Sequence, residues 1–119
     1  MKITVKECLQ MELFKDAKLA AAERDLSNVV KDIVVLEGFT SADPEKFALC
    51  RAKMVMTGFF HVRNNVKEQC EIIKNLAANG CSALVLFQIG TVVPELARAV
   101  KDTADLYRLP LIVFEGEEP

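Results

Sequence analysis

Met54-Val55-Met56-Thr57-Gly58, Ala83-Leu84-Val85-Leu86-Phe87 and Leu111-Ile112-Val113-Phe114 are the runs whose reading decides the fold. Each is short, almost wholly apolar and not alternating, which is the pattern of a strand buried on both faces. The segments between them carry helical spacing. Asn64 or Asn65 caps a helix whose inward face is predicted as Val66, Cys70, Ile73 and Ala77, and Asn79-Gly80 ends it. A second helix is predicted from Pro94, with Leu96, Val100, Ala104 and Tyr107 on one side. Parallel strands joined by right-handed helical crossovers follow, giving an α/β fold: a three-layer α/β/α sandwich with a mainly parallel sheet.

Working outward, Ile33-Val34-Val35-Leu36 is expected as a fourth, buried strand of the same sheet and Lys18 to Ala22 as an alanine-rich strand at an edge. Thr4 and Glu7 stand at capping-box spacing, opening a short helix through Gln10 with Val5, Cys8 and Leu9 inward. Asp43-Pro44 starts another over Glu45 to Cys50. One domain is expected over residues 1–115, with the acidic residues 116–119 beginning a linker.

The totals exclude several classes. The chain has 119 residues and 51% hydrophobic content, enough for one real core and too apolar for disorder. Fifteen basic against seventeen acidic side chains give a formal charge of −2. No basic run offers the phosphate contacts that unaided nucleic-acid binding requires. Cys8, Cys50, Cys70 and Cys81 form no CxxC pair and have one histidine, His61, to complete a metal set. They read as reduced structural thiols, and neither metal nor cofactor is expected. No stretch approaches a signal peptide or a membrane span, so a cytoplasmic location without membrane contact is expected.

An enzyme of this architecture should carry a recognisable device. Gly38, Gly58, Gly80, Gly90 and Gly116 never reach GxGxxG or GxxxxGK[ST] spacing, and no GxSxG elbow is present. No catalytic residue is assigned and the chain is read as a non-enzyme. Ligands in open α/β sheets bind at the carboxyl ends of strands. That edge should collect Glu37 and Gly38, Thr57 and Gly58, His61, and Gln88 with Gly90. A carboxylate, a hydroxyl, an amide and glycines suit a neutral, nitrogen-rich metabolite better than a polyphosphate. The same residues also serve as turn formers and helix caps, and both readings stand at this stage. Phe59-Phe60 is open to core packing, a pocket wall or a partner contact.

The order of landmarks resembles the N-terminal domain of PucR-type transcriptional regulators, the purine catabolism regulator family. Ile3-Thr4-Val5-Lys6-Glu7-Cys8-Leu9 with Leu13-Phe14-Lys15 resembles its opening. Val29-Val30-Lys31-Asp32-Ile33, Met54-Val55-Met56-Thr57-Gly58, Ala77-Ala78-Asn79-Gly80-Cys81-Ser82-Ala83-Leu84 and Leu109-Pro110-Leu111-Ile112 follow in family order. Arg51-Ala52-Lys53 departs from the family's Gly-Gly-Glu entry to the middle strand, and Met56-Thr57-Gly58 from its Thr-Thr-Gly exit. More loosely, the chain is similar to DRTGG-type domains that accompany kinase or nucleotide-sensing modules. The resemblance implies a non-catalytic, signal-sensing domain that binds a small molecule. The alternative is a dimerisation or protein-interaction module without a ligand. It also implies that DNA is reached only through a C-terminal helix-turn-helix region absent from this chain. The partners expected from the residues are a small nitrogen-rich metabolite at the strand ends and a second copy in a homodimer.

Overall fold

The computed structural model describes residues 3–91 and 93–116, and for Gln88 the backbone alone. In chain order the elements are β1 (Ile3–Thr4), α1 (Val5–Leu9), β2 (Lys18–Ala21), β3 (Val29–Val30), β4 (Asp32–Val35), α2 (Pro44–Ala48), β5 (Lys53–Thr57), α3 (Val66–Ala78), β6 (Ala83–Ile89), α4 (Arg98–Leu106) and β7 (Leu111–Glu115). One-turn 3₁₀ segments occupy Glu12–Phe14, Glu23–Asp25 and Phe60–Val62. The sheet has the order β2-β7-β6-β5-β4, parallel from β4 to β7, with β2 antiparallel at one edge. The fold is the mainly parallel α/β arrangement expected from the apolar runs.

Alternation along the buried strands sorts side chains to two faces. Val55, Leu84, Leu86, Leu111 and Val113 pack in one cluster with Phe47 of α2, Ile72, Ile73 and Leu76 of α3, and Val100 and Ala104 of α4. Met54, Ala83, Val85 and Ile112 point the other way, into a smaller cluster with Val5, Cys8, Phe14 and Val30. The three crossover helices therefore share one face, and the N-terminal segment covers the other. Its start is locally encoded: Thr4 Oγ1 accepts the Glu7 N–H at 3.2 Å, and the Glu7 carboxylate accepts the Thr4 N–H at 3.1 Å. Main-chain bonds from Val5 N–H to Asn28 O and from Lys6 N–H to Leu26 O fasten this layer beside the β1–β3 pair.

Three expectations need correction. The Ile33 strand is not buried: β4 is the outer strand, with Ile33 39% and Val35 64% exposed. An apolar run marks a strand without marking whether a neighbour lies on both sides of it. In α3 the buried residues are Gln69, Ile72, Ile73 and Leu76, whereas Val66 is exposed and Cys70 and Ala77 are half-buried. The buried face includes Gln69, whose Nε2 donates to Val62 O at 2.8 Å and so satisfies a polar side chain in the interior. Finally, α4 begins at Arg98 rather than Pro94, with Ala97 as its cap. The Tyr107 side chain that was expected inward is 40% exposed. The linker expectation for 117–119 lies outside the described residues.

Candidate functional site

The strand order fixes what kind of site is available. A doubly wound sheet has a crevice where strand order reverses and helices diverge to opposite faces. Here β4, β5, β6 and β7 follow one another in a single direction, so the parallel strands contain no such reversal. The carboxyl edge is divided instead into a sealed half and an open half.

The sealed half lies beyond β4 and β5 and brings together Glu37, Thr57, Gly58 and His61. Glu37 Oε1 accepts the Gly58 N–H at 2.8 Å and Oε2 accepts the Thr57 hydroxyl at 3.2 Å. Thr57, fully buried, accepts in turn from the Phe59 N–H at 3.2 Å. Both oxygens of the carboxylate thus tie the ends of two strands together. A Cβ at Gly58 would lie 3.1 Å from Phe87 Cε2 on the neighbouring strand, so any larger residue there needs that ring to shift by a few tenths of an ångström. Gly38 turns the chain with φ 73°. Phe59 is fully buried with φ 57°, a left-handed conformation that costs a bulky residue roughly 1–3 kcal/mol. His61 Nε2 bonds Phe39 O, and the His61 ring packs 5.7 Å from that of Phe39. Its Nδ1 is buried and has no hydrogen-bond partner among the described residues.

The open half lies beyond β6 and β7. A groove of about 690 Å³ is lined by Lys18 and Leu19 of β2, Gly90 after β6, Leu96 before α4, Lys101 on α4 and Glu115 at the end of β7. Lys18 Nζ donates to Glu115 Oε1 at 2.7 Å, pairing two of the exposed lining residues. Gly90 has φ 101° and nothing within 4 Å of where a Cβ would stand, so its backbone is open to the groove. Gln88 belongs to β6 by its backbone. Of the residues selected from sequence, Gly90 lines this groove, and Glu37, Thr57, Gly58 and His61 cluster away from it. Lys18, Leu96 and Lys101 were missed, because nothing local signals that the edge strand and α4 meet.

A larger hollow of about 750 Å³ opens at the opposite edge, lined among others by Arg51, Asn79, Tyr107 and Arg108. That edge is where α2, α3 and α4 end. Cations beside helix C-termini complement the partial negative charge of the helices, which accounts for both arginines. Arg108 is further held by Asp25, with Nε at 3.0 Å and Nη2 at 2.9 Å.

Cys8, Cys50 and Cys81 are buried. Desolvation raises the pKa of Cys8, Cys50 and Cys81, the last to about 12. Among the described residues no group of three or more His, Cys, Asp or Glu side chains is placed to hold a metal ion. No helix among them is long and apolar enough to cross a membrane.

Comparison with solved structures places the fold beside the CBS and DRTGG domains of the regulatory region of Clostridium perfringens pyrophosphatase, determined with its activator diadenosine tetraphosphate. The TM-score is 0.55 at 14% identity, over 86% of this chain and 38% of that one. This chain therefore spans well under half of that relative. No curated protein gives a significant sequence match. Residues 7–119 match the Purine catabolism regulatory protein-like family, and with nearly its whole length covered the chain belongs to that family.

Proposed function

We propose that this chain is a non-catalytic sensing domain of a cytoplasmic transcriptional regulator, and that it binds a small, nitrogen-rich metabolite at the carboxyl edge of its sheet. The observation that carries the reading is the open groove at Gly90, mixed in polarity and flanked by Lys18, Glu115 and Lys101. Such a lining can accept from and donate to a heterocycle carrying both kinds of group. Membership of a purine-catabolism regulatory family supports a regulatory role, and a structural neighbour solved with a nucleotide activator supports ligand sensing on this fold. Glu37, Gly38, Thr57, Gly58, His61 and Gln88, on the same carboxyl edge but away from the groove, are the remainder of the proposed ligand edge.

A thermal-shift titration with xanthine, urate, allantoin and diadenosine tetraphosphate tests this. At a ligand concentration of 100 Kd the native state gains about 2.7 kcal/mol, which raises the melting temperature of a domain this size by roughly 10 °C. The response should fall at least tenfold in affinity in Lys101→Glu, an exposed groove residue outside the core. A shift that survives this substitution unchanged moves the site elsewhere. No shift with any of the four compounds refutes the assignment of a purine-like ligand.

A further inference from the structure

Charge is distributed differently over the two hollows at opposite edges of the sheet. The carboxyl-edge groove sets Lys18 and Lys101 against Glu95 and Glu115. The hollow of about 750 Å³ at the other edge is lined by Arg51 and Arg108 and by no acidic side chain, in a chain whose formal charge is −2. Helix ends explain why cations gather there, yet the helix carbonyls do not use up the donors those cations bring. Both adjoining ends are closed by backbone bonds instead. After α3 the Gly80 N–H reaches Ala77 O and the Cys81 N–H reaches Leu76 O; after α4 the Arg108 N–H reaches Asp105 O and the Leu109 N–H reaches Ala104 O. The amides of the lining are committed as well, Asn79 Nδ2 to Asn75 O at 2.8 Å and Asn28 Nδ2 to Ser82 O at 3.2 Å. Among the described residues, the Arg51 guanidinium and the Tyr107 hydroxyl have no hydrogen-bond or ionic partner.

We propose that this hollow is a second binding site, for a small carboxylate anion taken by the Arg51 guanidinium, with Arg108 and Tyr107 lining the same space. The lining offers unspent donors and few acceptors, which selects an acceptor-rich anion over a neutral heterocycle. A planar carboxylate matches a guanidinium through two parallel N–H···O bonds. The negative ends of α2, α3 and α4 meet at this edge and oppose a highly charged ligand, which disfavours a polyphosphate. Both arginines are held in place. Arg51 Cγ lies 3.5 Å from where a Cβ of Gly80 would stand, so its stem rests against the end of α3. Arg108 is tied to Asp25 through Nε and Nη2. With φ 60°, Arg108 also fills the left-handed position after α4 that Gly80 fills after α3 with φ 77°. A backbone turn suited to glycine there carries a guanidinium. The site lies at the opposite edge from the groove at Gly90 and does not depend on it.

An amide chemical-shift titration of the chain with sodium succinate, against sodium chloride matched for ionic strength, tests this. Saturable changes should centre on Arg51, Gly80, Tyr107 and Arg108, including the Arg51 Nε–H, while Lys18, Gly90 and Lys101 stay still. Arg51 is exposed, so Arg51→Gln should keep the far-ultraviolet spectrum of the wild type. It should weaken succinate binding by about tenfold, because the paired N–H donors are lost. Arg51→Lys keeps the charge without the planar fork and should also bind more weakly than the wild type. Lys101→Gln, in the other groove, should bind succinate as the wild type does. Matched sodium chloride producing the same changes, or an Arg51→Gln protein of unchanged affinity, overturns the site. An Arg51→Lys protein that binds as tightly as the wild type, or inorganic phosphate that binds as tightly as succinate, overturns the assignment to a carboxylate.

Discussion

Glu37 shows how a residue chosen for ligand chemistry has a structural task on the page. Its carboxylate satisfies a fully buried hydroxyl and a buried backbone N–H at once. Truncation strands both groups, and each unsatisfied donor costs about 1–3 kcal/mol. Glu37→Ala should therefore lower the free energy of unfolding in urea by about 2 kcal/mol. A loss within about 0.5 kcal/mol would mean that water replaces the carboxylate and the tie is unimportant. Cys81 gives the pH prediction. Its folded pKa, raised by burial to about 12, exceeds that of the unfolded thiol near 9. Above pH 9 the unfolded state releases the proton that the folded state keeps. Stability contributed by this group is whole below pH 9 and declines as pH rises towards 12, by about 1.4 kcal/mol per unit. Comparing unfolding of the wild type with Cys81→Ala between pH 8 and 10.5 isolates the contribution, since the variant should lack that slope. Equal slopes in the two proteins would show that Cys81 ionises in the folded state as it does in the unfolded chain.

At the scale of elements, the features legible in the sequence were those with a local cause. The capping box at Thr4 and Glu7, the Asn65 cap accepting the Glu68 N–H, and Gly80 in left-handed geometry after α3 all depend on neighbours a few residues away. The three buried strands were equally plain, because two covered faces demand an unbroken apolar run. What needed tertiary information went astray. Nothing in the run Ile33 to Leu36 says that only β5 would pair with it. Nothing around Gln69 announces that a glutamine would be buried to hold Val62 O. Candidate site residues were found where they sit at strand ends, and those reaching the groove from β2 and α4 were not. β6 offers the sharpest test at this scale. Val85, fully buried between Met56 and Ile112 in the ladder, faces the smaller cluster. Val85→Asp would place a charge there with no partner, a cost of several kcal/mol and enough to unfold a domain of ordinary stability. A soluble Val85→Asp protein with unchanged melting temperature would contradict the two-faced core.

For the whole molecule, the single-direction strand order matters more than any one residue. It places all crossover helices on one face, removes the crevice of a doubly wound sheet, and leaves two open features at the flanks: a groove beside β2 and a bare edge at β4. The most direct test of the sensing account is an amide chemical-shift map with whichever of xanthine, urate, allantoin or diadenosine tetraphosphate raises the melting temperature. The account predicts that saturating compound moves Lys18, Gly90, Lys101 and Gly116 most, with smaller changes at Gly58 and His61. Changes centred on Asn79, Gly80 and Arg108 at the opposite edge, with the Gly90 groove undisturbed, would contradict it.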